Sequence, residues 1–271
     1  DFGARPLFID SGCPPVAQEI GTHRDKQHGN RLLESCQGVV CPFQGLTFLV
    51  HAFRDFGVDV MTTGNHVWDK KEALDYIQLE PRLIRPANYP EGVPGLGHYV
   101  AHTRSGDSVG VVNVMGRIFM APLDNPFQIV RQEIETIRAD ARVVIVDFHA
   151  EATSEKLAMA WHLDGQVTAV IGTHTHVQTA DARILPECTA YITDVGMTGP
   201  HDSIIGVDSR AALKRFIDGM PARFNTATGN PRLNAVIVTA DPETGHASAI
   251  DRLDLSAEDV ELLDRTTASV S

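Results

Sequence analysis

Four short segments of the chain carry side chains of the kind that bind metal ions, and each segment follows an apolar, β-branched run. The candidate ligands in these segments are Asp10, Asn65, His66, His149, His174 and His176. Neutral imidazoles are common ligands of Zn, Fe and Mn ions, and carboxylate or amide oxygens suit the harder of these ions. Because His174 and His176 are two residues apart, both lie on one side of an extended segment. The set predicts a metal site with mixed nitrogen and oxygen ligands.

Ligands that come from several strand ends suit a hydrolytic centre with two metal ions. In such a centre a hydroxide that bridges the ions attacks phosphorus, and the ions stabilise charge on the phosphoryl oxygens. Gly64 and Gly172 stand just before candidate ligands. We interpret them as positions where a side chain would obstruct the close approach of substrate. The chain is therefore expected to hydrolyse a phosphate ester.

Short β-branched runs alternate with helical patterns along the chain, which predicts an α/β fold. The predicted strands are 6–10, 58–62, 109–114, 142–147, 167–172 and 190–193. The predicted helices are 69–78, 126–137, 153–163 and 209–218, the third of them capped by Thr153 or Ser154. Residues 233–240 and 247–253 flank a turn-rich connection and predict a β-hairpin. No repeat or linker divides the sequence, so we expect one domain over residues 1–271.

The predicted strands also explain how distant residues could form one site. The carboxyl ends of parallel strands line the ligand crevice of an α/β sheet. Asp10, Asn65, His149 and His174 each stand at or shortly after the end of a predicted strand. The fold is therefore expected to bring these side chains together.

The composition narrows the classes of partner. The chain has 271 residues, with 35 Asp and Glu against 23 Lys and Arg, and a formal net charge of −12. This balance disfavours binding of duplex nucleic acid but allows a small phosphorylated ligand held by a metal ion. The apolar runs are far shorter than the roughly 20 residues of a membrane-spanning helix, so we expect no membrane segment. The four cysteines lack a Cys-x-x-Cys pair and residues 1–5 show no secretory pattern, which predicts a cytoplasmic protein.

A series of ordered sequence blocks carries a family resemblance. Residues 62–72 read Thr-Thr-Gly-Asn-His-Val-Trp-Asp-Lys-Lys-Glu, and residues 171–181 read Ile-Gly-Thr-His-Thr-His-Val-Gln-Thr-Ala-Asp. The further blocks are 85–89, 112–120, 147–156, 194–200 and 202–206. With these blocks the sequence resembles the calcineurin-like metallophosphoesterases, and within them the YmdB-like bacterial 2′,3′-cyclic-nucleotide 2′-phosphodiesterases. The likeness covers essentially everything after Gly45.

The resemblance implies a fold, a reaction and a set of roles. The fold would be a four-layer αββα sandwich, and the reaction would open 2′,3′-cyclic nucleotides to 3′-nucleotides with two ions of Fe, Mn or Zn. By the same resemblance Asn65, His149 and His174 would hold one ion, and Asp10 and His176 the other. His66 would lie beside the phosphate as general acid or as a stabiliser of transition-state charge. The partner would be a small phosphodiester or nucleotide, and the oligomeric state, including a homo-oligomer, stays open.

One part of the family pattern is missing from the first 44 residues. Family members carry a Glu-Asn pair whose glutamate bridges the two ions, and in this sequence the pair would fall at Gly38-Val39. Asp10 itself matches only if one residue is deleted. Three explanations remain open for residues 11–44: Glu34 supplies the carboxylate four residues out of register, the bridge has been lost and one ion or none binds, or the printed segment is not the translated sequence. We take the third as a working hypothesis, and peptide mapping of purified protein tests it.

Two alternative functions follow from the same features. A phosphomonoesterase or phosphoprotein phosphatase would use the same ligands on a different ester. A regulatory or binding module without catalysis is suggested by the missing Glu-Asn pair. Metal content and a comparison of substrates under added Mn²⁺ separate these alternatives.

Overall fold

The structure, a computed structural model, describes residues 57–69, 71–103 and 105–268. Its helices are α1 (Lys71–Tyr76), α2 (Pro126–Ile137), α3 (Thr153–Leu163), α4 (Ser209–Asp218) and α5 (Ala257–Ala268). Its strands are β1 (Met61–Thr62), β2 (Leu83–Ile84), β3 (His98–His102), β4 (Ser108–Met115), β5 (Val143–His149), β6 (Ala169–Thr173), β7 (Arg183–Ile184), β8 (Ala190–Ile192), β9 (Gly199–Pro200), β10 (Pro231–Ala240) and β11 (Ala247–Ser256). The predicted strand 6–10 and the candidate ligands Asp10 and Glu34 lie outside the described residues. Among the helices that are described, none is long and apolar enough to cross a bilayer.

The largest sheet has six strands in the order β3-β4-β5-β6-β8-β7. The four inner strands β4, β5, β6 and β8 run parallel to one another, and the two edge strands run antiparallel to their neighbours. The register pairs Met115 with His149, and His149 with Thr173. The carboxyl ends of β4, β5 and β6 therefore lie side by side, and the residues that follow them share one edge of the sheet.

Helices α2 and α3 cover one face of this sheet. Helix α2 begins as predicted, because the side chain of Asn125 accepts a hydrogen bond from the Phe127 amide at 3.1 Å and Pro126 occupies its first turn. Its apolar face buries Val130 and Ile134 against the strands. Helix α3 has the predicted bounds, but its predicted cap is wrong: the N-cap residue is Ala152, which makes no side-chain cap bond. Its cap is not Thr153 or Ser154, because the chain turns into the helix one residue earlier.

A second sheet covers the opposite face. Strands β11, β10 and β9 form an antiparallel sheet in that order. Ile171 and Ile192 of the large sheet pack with Val236, Val238 and Ile250 of the second sheet in one apolar cluster. Helix α5 directly follows β11 and contacts β10 and β11. Helices, a large sheet and a facing second sheet form the mixed α/β fold that the sequence predicts, and this prediction is confirmed.

The parallel pair β1–β2 is the element that positions the first segment of the site. Met61 pairs with Leu83 and Thr62 with Ile84. Val60 and Ile84 pack on Val111 of β4, so the pair lies against the same face of the large sheet as β10 and β11. The turn that follows β1 is thereby brought to the carboxyl ends of β4 and β5.

Candidate metal centre

Three of the predicted ligands meet at one point. Asn65 lies in the turn after β1, His149 ends β5 and His174 follows β6. The Nε2 atom of His149 is 2.8 Å from Oδ1 of Asn65 and 3.0 Å from Nδ1 of His174. The two imidazole rings pack edge to face with their centroids 4.7 Å apart. Residues 84 and 25 positions apart in sequence are thus brought into one cluster, as the strand-end argument predicts.

A buried chain of hydrogen bonds fixes the orientation of His149. Its Nδ1 atom is 3.0 Å from the hydroxyl of Thr173, which lies 2.8 Å from Oδ1 of Asp147. The side-chain amide of Asn113 donates to the other carboxylate oxygen at 2.9 Å. A carboxylate only accepts, so the hydroxyl proton of Thr173 goes to Asp147, and the hydroxyl oxygen accepts from His149 Nδ1–H. The network assigns the proton of His149 to Nδ1 and leaves a lone pair on Nε2.

The same reasoning assigns the other two members of the cluster. Nε2 of His174 is 3.1 Å from a carboxylate oxygen of Glu151, so this nitrogen donates and Nδ1 carries the lone pair. The amide nitrogen of Asn65 lies 3.3 Å from Nε2 of His66, which turns the amide oxygen toward His149. Three acceptor atoms therefore converge, and the assigned network places no hydrogen between them.

Burial keeps these imidazoles neutral. Desolvation lowers the pKa of His149 well below its ordinary value of 6.5, and the neighbouring His174 lowers it further. Burial also lowers the pKa of His174, and the nearby carboxylate of Glu151 only partly opposes that shift. A neutral imidazole is the form that binds a metal ion. The electrostatics of the cluster therefore agree with the geometry.

A converging set of lone pairs has the chemistry expected of a cation site. Two imidazole nitrogens and an amide oxygen match the ligands of divalent ions such as Zn, Fe and Mn. No three histidine, cysteine, aspartate or glutamate side chains in the described segments form a metal-binding group by themselves, because the third member here is the amide of Asn65. The candidate carboxylate ligands Asp10 and Glu34 belong to the part of the chain outside those segments.

His66 lies on the solvent side of the cluster. Its side chain is 48% exposed, and its Nδ1 atom is 2.9 Å from Oδ2 of Asp69. The turn that carries both residues is closed by backbone bonds from Val67 to Gly64 and from Asp69 to His66. His66 is therefore adjacent to the candidate ligand Asn65 and oriented by a carboxylate.

His176 is placed differently from the three clustered residues. It is buried, and its Nδ1 atom donates to the backbone oxygen of Ile205 at 3.0 Å. It is near enough to His149 to lower the pKa of that residue. Both His174 and His176 have a left-handed backbone, with φ of 98° and 65°, so the expected simple extended segment is wrong here. The turn takes this form because the chain leaves β6 and bends across the strand ends.

The glycines near the site have a different function from the one predicted. A Cβ atom on Gly64 would lie 2.3 Å from Cε1 of His149, and one on Gly172 would lie 1.8 Å from the backbone oxygen of Thr193. Both glycines are thus required by close contacts inside the protein. The interpretation that they leave room for substrate is wrong, because the protein itself fills that space.

Sequence motifs did not identify several residues that lie around the site. Thr173, Lys156 and Asp194 carry none of the ligand patterns, yet all three are buried beside the cluster. Asp147 had a signal, since it stands two residues before His149 in one strand and so shares its side of the sheet. The interactions of Lys156 with Asp194 depend on how α3 packs, which no local pattern records.

Sheet order, facing layers and a polar cluster at the strand ends are the features that the sequence predicts for a metallophosphoesterase. Comparison with known proteins makes the assignment narrower. The chain belongs to the family described as YmdB-like protein, whose model matches residues 44–253. The match begins at residue 44, next to Gly45, after which the sequence resembles the family.

Individual relatives agree with this assignment. The chain is 49% identical over 212 residues to a 2′,3′-cyclic-nucleotide 2′-phosphodiesterase of Bacillus subtilis, covering 78% of this chain and 80% of the relative. A crystal structure of a hypothetical protein from Thermus thermophilus matches with a TM-score of 0.73 and 43% identity, over 80% of this chain and 84% of the other. A Mycoplasma pneumoniae structure described as a novel phosphatase matches with a TM-score of 0.71 and 33% identity, over 78% and 76%. The chain is therefore an enzyme that hydrolyses phosphate esters.

Proposed function

We propose that the chain is a metal-dependent phosphodiesterase whose substrates are 2′,3′-cyclic nucleotides and whose products are 3′-nucleotides. The observation that carries the proposal is the convergence of Asn65 Oδ1, His149 Nε2 and His174 Nδ1 at 2.8 Å and 3.0 Å. The activity named for the Bacillus subtilis relative, at 49% identity, supports this choice of ester. We further propose that one domain performs the reaction.

The metal requirement follows from the donor set. Asn65, His149 and His174 would hold one ion, and His176 with Asp10 would hold a second, with Glu34 the candidate bridge between them. Nitrogen and neutral oxygen donors fit Fe, Mn and Zn alike. When bound, the ions would supply Lewis acidity toward the phosphoryl oxygens and toward a water molecule.

The chain's own side chains have separate tasks. The hydrogen bonds from His149 to Thr173 and from Thr173 to Asp147 hold the imidazole with its Nε2 lone pair toward the site. His66, oriented by Asp69, would deliver a proton to the 2′-oxygen as the bond from that oxygen to phosphorus breaks. A positioned general acid of this kind contributes about 100-fold or more to the rate. Its solvent-side position lets it recover a proton after each turnover.

A phosphate monoester is the second candidate substrate. The Mycoplasma pneumoniae relative is described as a phosphatase, and the same ligands serve both esters. Comparing hydrolysis of a 2′,3′-cyclic nucleotide with that of an aryl monophosphate under added Mn²⁺ decides between them. A higher kcat/KM for the cyclic diester supports the proposal, and the reverse order replaces it with the monoesterase.

Substitution of the ligands tests the site itself. We expect His149→Ala and His174→Ala to abolish hydrolysis and metal retention while the circular-dichroism spectrum is kept. His162 is the matched control, because its imidazole binds the backbone oxygen of Phe127 at 3.1 Å away from the cluster, and His162→Ala should retain activity. Unchanged activity in either ligand variant would refute the assignment.

A further inference from the structure

The turn His174-Thr175-His176 has an unfavourable backbone. Both histidines lie in the left-handed region, with φ of 98° and 65°. Non-glycine residues rarely adopt this region, and they keep it only when surrounding contacts enforce it. Since both histidines are proposed ligands, the contacts that enforce the turn also set where the imidazoles lie.

Those contacts come from Asp194, which follows β8. Its Oδ2 atom accepts hydrogen bonds from the backbone amide of Thr175 at 2.9 Å and from the Thr175 hydroxyl at 2.7 Å. Its Oδ1 atom accepts from the amide of Gly196 at 2.9 Å. The carboxylate is thus bonded to the residue between the two histidines and to its own loop, and it links the ends of β6 and β8.

Lys156 of α3 supplies the opposite charge. Its Nζ atom lies 2.8 Å from Oδ2 of Asp194, and both side chains are 0% exposed. A fully buried ion pair loses its hydration, so it contributes little net stability even when well formed. Gly172 leaves room for the pair, because a Cβ atom there would lie 3.0 Å from Cδ of Lys156. The pair is therefore expected to stabilise the fold little, yet it bonds directly to a strained turn that carries two proposed ligands. This combination indicates that the pair serves to hold that turn in place.

We propose that Lys156 and Asp194 are positioning residues that hold the His174-Thr175-His176 turn in its metal-binding conformation through Thr175. This inference rests on the proposed function, since it concerns the affinity of that site for its ion. Neither residue is among the proposed ligands of the ion. Breaking the link releases the turn and lowers metal affinity without removing a ligand.

The hydroxyl of Thr175 is the part of the link that can be removed most gently. Thr175→Val keeps the shape and the backbone bond but deletes the 2.7 Å contact, and Thr175→Ser keeps the hydroxyl. Thr168→Val is the matched control: Thr168 is buried and its hydroxyl donates to Gly245 at 2.6 Å, before β6 begins, at the opposite end of the strand. Lys156→Met removes the charge itself.

Mn²⁺ binding to the metal-free protein, measured by calorimetric titration together with the melting temperature, tests the inference. We expect Thr175→Val and Lys156→Met to weaken Mn²⁺ binding by roughly 10- to 100-fold, the range seen when groups that support metal ligands are removed. Thr175→Ser should restore wild-type binding, and Thr168→Val should lower the melting temperature with binding unchanged.

The outcomes separate the two claims. Wild-type Mn²⁺ affinity in folded Thr175→Val overturns the inference and leaves the proposed function standing; if Lys156→Met does not fold, this variant alone decides. Equal weakening in Thr175→Val and Thr168→Val also overturns it, because the effect would then be one of general stability. Wild-type protein that binds Mn²⁺ but hydrolyses no phosphate diester refutes the proposed function, while the binding comparison still tests the inference. Wild-type protein that binds no Mn²⁺ overturns both.

Discussion

Nε2 of His149 and Oδ1 of Asn65 face each other at 2.8 Å, and the hydrogen-bond network makes both of them acceptors. Two lone pairs at this distance repel unless a positive charge lies near both. Each atom is held in place from behind, the imidazole by Thr173 at 3.0 Å and the amide by His66 at 3.3 Å. The protein therefore builds an arrangement that a cation would stabilise, and each support can be tested.

Removal of the Thr173 hydroxyl should weaken metal binding. In Thr173→Val the Nδ1–H of His149 loses its acceptor, so the imidazole is free to carry its proton on Nε2 instead. We expect a roughly 10- to 100-fold loss of Mn²⁺ affinity, measured by titration of metal-free protein. Thr189→Val is the control, because Thr189 is equally buried and its hydroxyl donates to Val167 at 2.7 Å far from the cluster. Equal Mn²⁺ affinity in both variants would show that the Thr173 hydroxyl does not support metal binding by His149.

A side chain at position 64 should displace His149. A Cβ on Gly64 would lie 2.3 Å from Cε1 and 2.4 Å from Nε2 of that imidazole, so Gly64→Ala forces the ring away. A shift of about 1 Å at a reacting centre lowers the rate about 100-fold, and we expect a loss of kcat/KM of that order. Gly110→Ala is the comparison, since its Cβ would meet the flexible end of Ile137 in the α2 layer. That variant should lose stability but keep activity, and a fully active Gly64→Ala would contradict the geometry.

The metal-free protein should lose stability in mild acid. Burial lowers the pKa of His149 well below 6.5 in the folded state, so the unfolded chain takes up the proton first as the pH falls. The contribution of His149 to the free energy of unfolding is therefore fully present above the ordinary histidine pKa of 6.5. It declines as the pH falls below that value, by at most about 1.4 kcal/mol per pH unit for one group.

Melting temperatures from about pH 8 to about pH 5.5 measure this decline. His149→Gln, which cannot take up the proton, should show a shallower fall than the wild type. The exposed His102 is the control, and His102→Gln should fall as steeply as the wild type. A wild-type curve that stays level through mild acid would show that His149 is not held neutral.

Loss of the proposed general acid should depend on the leaving group. His66→Gln removes the proton donor beside Asn65, while the glutamine carbonyl can still accept from the Asn65 amide, so the three converging lone pairs are kept. We expect a roughly 100-fold lower kcat for a 2′,3′-cyclic nucleotide, whose leaving oxygen is a poor leaving group and needs a proton. An aryl diester releases a stable phenolate and should be affected much less. Equal loss on both substrates would assign His66 to binding or charge stabilisation instead.

The position of the site was predictable from sequence because it depends on strand ends. Asn65, His149 and His174 each follow an apolar run, and parallel strands place their carboxyl ends together whatever their order. The helices 153–163 and 209–218 were predicted with the bounds observed. The second has local signals at both ends, with Asp208 as its side-chain cap and Gly219 at its end, whereas the cap predicted for the first was wrong. These features can be predicted without knowing the order of the strands in the sheet.

Other features depend on tertiary packing and could not be predicted. Strands β2 and β9 have two residues each, too few for any periodicity to show. The bonds of Thr173 and Asp194 require the register of β5 with β6 and the approach of α3. Asp10 and Glu34 lie outside the described residues, so their roles stay predictions, as does the origin of residues 11–44.

The start of α3 limits how the chain can change in length. Glu155 accepts hydrogen bonds from the backbone amides of Arg117 and Ile118 at 3.0 Å and 3.3 Å, and the next residue, Lys156, bonds Asp194 on the other side of β5. Only residues 150–152 connect β5 to this helix. One inserted residue there would turn the helix by about 100° relative to the strand and would pull both charged side chains out of place together. The segment should therefore tolerate exchanges of residue type far better than insertions or deletions.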